Sequence, residues 1–452
     1  MNTSEQYNPI VTGSIWKGML VYFFPIFLGS MFQQLYNTVD TVIVGRFVGT
    51  QALASVGGSA GQIAGIIFWF LGGIANGATV TIAQHYGAND PEGIHRDIHN
   101  GVALAIIGSM FLAILGFIFC PQIFRMMETP EELMQGSVTY IRILFCGLTV
   151  SFLYNMGSGI LRALGDSRRP LIYLIICSFV NIILDLFFVV VIPLGVKGVA
   201  IATVLAQLIS AVLVLRRIMN LNPAYALRIR KIRIYKDVMK AQLRIGLPGG
   251  FQSALYGIAN IIIQTSINML GTSTMAAYAA FGKLDAVYWQ VGGSFGTAVT
   301  TFSGQNYGAG NLSRVKKSTN FALFADCTFS VIISTILVVF APVLLHIFTK
   351  DTEVIELGNR IMRTVAPFYI FYSFIEILSG SLRGMGDVFV PTVMTLLGIC
   401  ALRILWILFV VPMRPQLETV TIVFAISWIA TAVLFIIYFL IAWKKIRKRT
   451  GL

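Results

Sequence analysis

Charge is scarce in this chain. Asp, Glu, Lys and Arg make up 12% of its 452 residues, about half the ~25% of an ordinary soluble domain. Histidine occurs four times, at His85, His95, His99 and His346, with no metal-ligand spacing, which argues against a zinc-type centre. The five cysteines, Cys120, Cys146, Cys177, Cys327 and Cys400, are odd in number and scattered through apolar stretches. They make no disulfide framework and are expected to be inert buried thiols. No Gly-Lys-Ser/Thr loop is present to cradle a nucleotide phosphate, so direct ATP drive and enzymatic chemistry are not expected. Acids are scarcer than bases, 19 against 33, for a net charge of +14. Their placement in loops on one side of a membrane accounts for that excess without nucleic acid as a partner.

What the chain has in abundance is apolar sequence, 56% of all residues. Its many unbroken stretches of ~20 residues or more are long enough to cross a hydrocarbon core of ~30 Å. They do not alternate as the short strands of a membrane barrel would. The expected fold is an all-α polytopic membrane protein with twelve transmembrane helices, at about 18–45, 51–83, 95–120, 133–161, 170–192, 196–216, 241–269, 273–303, 317–346, 354–381, 390–411 and 419–443. The first apolar segment is too long, and too interrupted by Pro25 and polar residues, for a cleavable signal.

Loop charges set the expected orientation. With both termini cytoplasmic, the inner loops hold Lys17, Arg96, Arg162, Arg168, Arg169, the run from Arg216 to Arg244, Arg314, Lys316, Lys317, Arg383 and the tail from Lys444. The outer loops hold only Arg46, Arg125, Lys197, Lys350 and Arg414, as the positive-inside rule requires. The organisation expected is a cytoplasmic tail (1–17), a first lobe (18–216), a basic cytoplasmic linker (217–240), a second lobe (241–443) and a basic tail (444–452), in the cell membrane. The linker serves as connector and topology determinant, and its charge also suits anionic lipid heads.

The halves are copies of one unit. Gln84-His85-Tyr86-Gly87-Ala88-Asn89-Asp90 recurs as Gln305-Asn306-Tyr307-Gly308-Ala309-Gly310-Asn311. Leu161-Arg162-Ala163-Leu164-Gly165-Asp166, closed by Pro170, recurs as Leu382-Arg383-Gly384-Met385-Gly386-Asp387, closed by Pro391. The offset is constant (305 − 84 = 382 − 161 = 391 − 170 = 221). Internal repeats in a hydrophobic chain point to a transporter whose site lies between or within the repeats.

Polar stripes on these helices are the candidate sites, because an intramembrane polar residue must face protein or water. Gln33, Tyr36, Asn37 and Asp40 share one face of the first helix. Ser178, Asn181 and Asp185 share a face of the fifth, and Thr203, Gln207 and Ser210 a face of the sixth. If the stripes converge they form a pocket of two carboxylates, an amide and a hydroxyl, which suits Na+, a proton, or either. Shifting Asp40 by 221–223 lands on Ile261–Ile263, and shifting Asp185 by 221 lands on Trp406. A fold requirement would appear in both copies, so the acids mark a specialisation of the first half.

The second half carries Gln252, Tyr256, Asn260, Gln264 and Asn268 on its first helix, then Lys283, Asp285 and Gln290, then Tyr369, Tyr372 and Glu376, and Arg403. Charge balance predicts that Lys283 or Arg403 neutralises Asp285 or Glu376. Gln33, Asn37, Gln207, Tyr256, Asn260, Asp285 and Glu376 are candidates to line a substrate cavity. Pro25 and Pro248 occupy matching helix positions and read as kinks or hinges.

These residues resemble the multidrug and toxic compound extrusion (MATE) family over nearly the whole chain. The resemblance rests on Val39-Asp40-Thr41 with Gly45 and Gly49, the two Gln-x-Tyr-Gly-Ala motifs, the two Leu-Arg-x-x-Gly-Asp-x-x-x-Pro motifs, and Asn181-Ile182-Ile183-Leu184-Asp185. It implies two six-helix pseudo-symmetric lobes in a V shape, and export of organic, often cationic, compounds in exchange for inward Na+ or H+. No cofactor beyond that coupling ion is expected, and the partners are small organic substrates, the coupling cation and the bilayer, with the chain acting as a monomer. Residue by residue, Asp40, Asn181, Asp185 and Thr203 match the family's first-lobe cation site, a possible Na+ site. The alternative is a lipid-linked saccharide flippase of the same broader superfamily, against which the span count and the cavity acids argue.

Overall fold

A computed structural model describes residues 8–450. Of the expected tails, residues 1–7 and 451–452 lie outside the described residues. The secondary-structure elements of the described residues are all helices, with no strand. The helices are α1 (Ile15–Val48), α2 (Thr50–Gly87), α3 (Pro91–Met126), α4 (Glu131–Cys146 and Leu148–Ala163, bent by 51°), α5 (Arg168–Val191) and α6 (Val196–Met219). The second set is α7 (Lys236–Asn268), α8 (Thr272–Gly308), α9 (Leu312–Val339), α10 (Thr352–Gly384), α11 (Phe389–Met413) and α12 (Leu417–Thr450). All twelve expected segments are helices. Among the described residues nine are long and apolar enough to span a membrane, and the bent α4 makes a tenth. The two that fall short, α7 and α8, carry the polar stripe and the charges Lys283 and Asp285. Large side chains such as Phe111, Ile114, Phe179 and Ile183 are exposed on the helix surfaces, as a lipid-facing belt requires.

The repeated motifs are turns. Asp90 caps α3 by accepting the Gly93 N–H at 3.0 Å, and Asn311 caps α9 by accepting the Arg314 N–H at 3.1 Å. The residues before these caps, Asn89 and Gly310, take φ of 53° and 71°. Gly165 and Gly386 take φ of 88° and 86°. Such left-handed positions favour Gly and Asn, which explains why both halves keep the same letters there.

The chain forms two compact units whose borders do not coincide with the sequence halves. One runs from Val21 to Gly250; the other joins the chain up to Leu20 with Phe251 onward. Each unit has its own apolar core. The first gathers residues such as Ile82, Phe124, Phe152 and Ile160, and the second Ile267, Tyr288, Leu345, Tyr369 and Trp428. The chain thus passes from one unit to the other inside α1 and again inside α7, near Pro25 and next to Pro248.

Small residues explain why the start of α7 belongs to the first unit. A Cβ on Gly73 would lie 2.3 Å from the Gly250 nitrogen, and one on Gly77 would lie 2.1 Å from the Gln242 carbonyl oxygen. Gly73 and Gly77 on α2, and Gly246 and Gly250 on α7, are each four apart, the spacing that lets membrane helices approach backbone to backbone. Buried side chains add to this contact: Gln242 accepts from Asn100 Nδ2 at 2.9 Å and donates to the Asp97 carbonyl at 3.1 Å.

Candidate functional site

The first unit brings its two intramembrane acids together. Asp40 of α1 and Asp185 of α5 adjoin through their carboxyl groups. Asp185 and Asn181 are fully buried, and Asp40 is half-buried. Among the described residues neither carboxylate oxygen of Asp185, nor Asp40 Oδ1, nor either atom of the Asn181 amide has a hydrogen-bond partner. Buried polar atoms are nearly always paired, so this concentration of orphans in two adjacent turns of α5 and its neighbour sets the site apart. Helix geometry changes beside each acid. α1 widens into a π-turn at Val44–Val48, and α5 does so at Phe187–Val191, a feature often found at functional sites.

Thr203 lies beside Tyr36 of the site, and its Oγ1 donates to the Val199 carbonyl at 3.0 Å. Gln207 accepts a hydrogen bond from Ser151. Gln33 and Asn37 are exposed on the α1 face that carries Asp40. Tyr140 of α4, not anticipated from the sequence, stands beside both acids. Its position in the second copy (140 + 221 = 361) is Ile361, a signal that the comparison of halves offered. Among the described residues no group of three or more His, Cys, Asp or Glu side chains is placed to hold a metal ion. The donor set is two carboxylates, an amide and hydroxyls, which suits a hard monovalent cation or a proton.

A sequence model of the MatE family matches residues 25–187 and again 248–408. The chain belongs to the MatE family. The two matches start 223 residues apart (248 − 25) and end 221 apart (408 − 187), so the family unit is the internal repeat itself. The chain is 27% identical to the probable multidrug resistance protein YoeA of Bacillus subtilis (strain 168), over 98% of each chain. It is 25% identical to the probable multidrug resistance protein NorM of Thermotoga maritima, over 83% of this chain and 81% of that one. Its fold matches that of a multidrug resistance MATE family transporter of the MOP superfamily in an outward-facing conformation, with a TM-score of 0.90, 22% identity and coverage of 98% and 99%. A MATE structure in a bent conformation matches with a TM-score of 0.91, 22% identity and 98% of each chain. This is therefore a multi-pass membrane protein of the MATE transporter family.

The second unit of this MATE protein partners its charges differently from the expectation. Asp285 accepts from Trp289 Nε1 at 2.5 Å and from the Tyr369 hydroxyl. Glu376 accepts from the Tyr372 hydroxyl at 3.2 Å and lies 3.8 Å from Arg383. Neither Lys283 nor Arg403 forms an ion pair with these acids among the described residues. Lys283 is exposed. Arg403 is buried, donates to Ser427 Oγ at 3.0 Å and stacks its guanidinium over Phe424 at 4.4 Å. Glu376 has a cation that charge balance did not name, because Arg383, read as part of a loop motif, ends α10 on the same face, two turns on. The thiol expectation also needs correction: Cys146 is exposed and Cys327 half-buried, with Cys120, Cys177 and Cys400 buried. Cys146 ends the first half of α4, where the bend opens the helix.

One further acid was not anticipated. Asp326 of α9 is fully buried, with neither carboxylate oxygen hydrogen-bonded among the described residues, and Ser373 and Glu376 are its polar neighbours. A lone acid inside an apolar run was the available signal; its first-half counterpart (326 − 221 = 105) is Ala105. Of the α7 candidates, Tyr256 is half-buried beside Tyr372, and Asn260 is exposed.

Proposed function

We propose that this protein is a secondary active antiporter that exports organic, cationic and amphipathic compounds in exchange for inward Na+ or H+. The observation that carries the reading is the adjoining pair Asp40 and Asp185, with orphaned oxygens and no basic partner among the described residues. Two such carboxylates need a proton or a cation to offset their charge in a dry site. Asp40, Asn181, Asp185 and Thr203 hold that cation. Support comes from the multidrug resistance relatives and from the lack of these acids in the second copy.

Coupling runs through α1. Its face carries Asp40 next to the exposed Gln33 and Asn37, so one helix senses the cation and presents polar groups to substrate. Gln207 adds a further polar group in the same unit, and Tyr256, Asn260, Asp285 and Glu376 are the polar candidates for substrate contact within the other unit. Cation occupancy biases α1 between two shapes, with Pro25 as its hinge and Pro248 as the hinge of α7, and a ligand shifts such an equilibrium only by its differential affinity for the two states. Both termini face the cytoplasm, and the chain works as a monomer.

The test uses proteoliposomes and a fluorescent organic cation. A Na+ gradient and a pH gradient are imposed separately, and counter-movement of the dye is followed. Movement driven by one gradient names the ion; no movement under either gradient, with folded protein, would overturn the antiport reading.

A further inference from the structure

A cavity of about 650 Å³ lies at the start of α3, away from the acid pair, walled by Glu92, His95 and Arg96 on one side and by Arg230, Lys231 and Arg233 on the other. Its second wall is the loop between α6 and α7, and this loop is pinned. The Arg228 N–H donates to His99 Nε2 at 3.0 Å, and the Tyr235 N–H donates to Asn100 Oδ1 at 3.0 Å. His99 and Asn100 are both fully buried. Between the two anchors, Ile229–Lys231 forms a single helical turn closed by the Lys231 N–H to the Arg228 carbonyl at 2.8 Å. Two guanidiniums also flank the Tyr235 ring, Arg96 at 5.0 Å and Arg233 at 4.6 Å from its centre.

The charges do not cancel. Arg96 is taken by Asp237 at 2.5 Å. That leaves Arg230, Lys231 and Arg233 against Glu92 alone, a net +2 (3 − 1) on the cavity wall. A topology determinant needs only the number of basic residues on one side of the membrane; it needs no pinned loop and no cavity. Mutually repelling cations held on a preorganised turn are what an anion with several acceptor oxygens requires. Ile229 and Ile234, 66% and 40% exposed, stand on the same loop and offer apolar contact beside the charge.

We propose that this cavity binds a phosphate-bearing anion, held by Arg230, Lys231 and Arg233. The two sources with that chemistry are an anionic phospholipid headgroup and free phosphate, and experiment separates them. Full-length protein is analysed by native mass spectrometry for retained phosphatidylglycerol against phosphatidylcholine, and by calorimetric titration with inorganic phosphate. The comparison variant is Arg230→Gln/Lys231→Gln/Arg233→Gln. A charge control, Lys444→Gln/Lys445→Gln, removes basic residues elsewhere. A preference for phosphatidylglycerol that falls about tenfold or more in the triple variant and not in the control supports the site and makes a lipid its ligand. Phosphate binding lost in the triple variant, without lipid preference, supports the site and makes the ligand soluble. Equal behaviour of wild type and triple variant in both arms, or an equal loss in the control, overturns the proposal. The three side chains are exposed, and Arg230→Gln alone carries the same comparison if the triple variant fails to fold.

Discussion

Asp40 and Asp185, 145 positions apart (185 − 40), adjoin through their carboxyl groups inside one compact unit. No ion pair joins either to a Lys or Arg among the described residues, and three of their four oxygens lack a hydrogen-bond partner. On the proposed reading the pair serves a cation site and does little for folding, which gives a stability prediction. Asp185→Asn keeps the size of a carboxyl whose charge a proton or a cation must offset in this dry site, and should leave the unfolding temperature unchanged or raise it, by up to ~1–3 kcal/mol of stability. Thermal unfolding of purified protein at neutral pH checks this; a large fall would make Asp185 a structural residue.

Asp285 depends on Tyr369 and Trp289 for its hydrogen bonds. Tyr369→Phe keeps the ring stacked on Tyr288 at 3.9 Å but withdraws the hydroxyl. Leaving a buried carboxylate short of a partner costs roughly 1–3 kcal/mol. A lower unfolding temperature is expected for Tyr369→Phe, and in the background of Asp285→Asn the same substitution should cost less. Equal costs in the two backgrounds would separate the residues.

The backbone contact between α2 and α7 predicts a steric contrast. Gly77→Ala places a methyl 2.1 Å from a carbonyl oxygen, whereas a Cβ on Gly72 meets nothing within 4 Å. Overpacking of this kind costs ~1–3 kcal/mol, so Gly77→Ala should unfold at lower temperature and Gly72→Ala at the wild-type temperature. Equal stability of the two variants would show that the helices move apart without cost.

Asp326 is buried and unpaired by hydrogen bonds. Replacing such an acid with a side chain of similar size and no charge is neutral or stabilising, by ~1–4 kcal/mol where the charge was uncompensated. Asp326→Leu is expected to unfold at or above the wild-type temperature, and a marked fall would reveal a partner that holds the acid.

The sequence carried the helices and the first-half acids because both leave a local signature. Apolar length marks each span, and the 221-residue offset exposes Asp40 and Asp185 as unrepeated. It also made the turns legible, since Asn89 and Gly310 answer the same backbone demand. What it did not carry depends on tertiary placement. The sequence places Arg383 in a loop beyond a helix that stops at 381, and so does not say that its side chain lies beside Glu376. Tyr140 stands beside the acid pair through the tertiary packing of α4, which no local pattern announces. The points where the chain changes units, near Leu20 and Gly250, follow from glycines on α2 as much as from those on α7, and no single segment announces them.

As proposed, the Asp40–Asp185 pair couples cation entry to export, and gradient-driven dye transport by Asp40→Asn in proteoliposomes, with dye binding measured on the same preparation, tests this coupling. Driven transport is expected to fall to the level of empty liposomes while dye binding and the unfolding temperature are retained. Driven transport at the wild-type rate would contradict it.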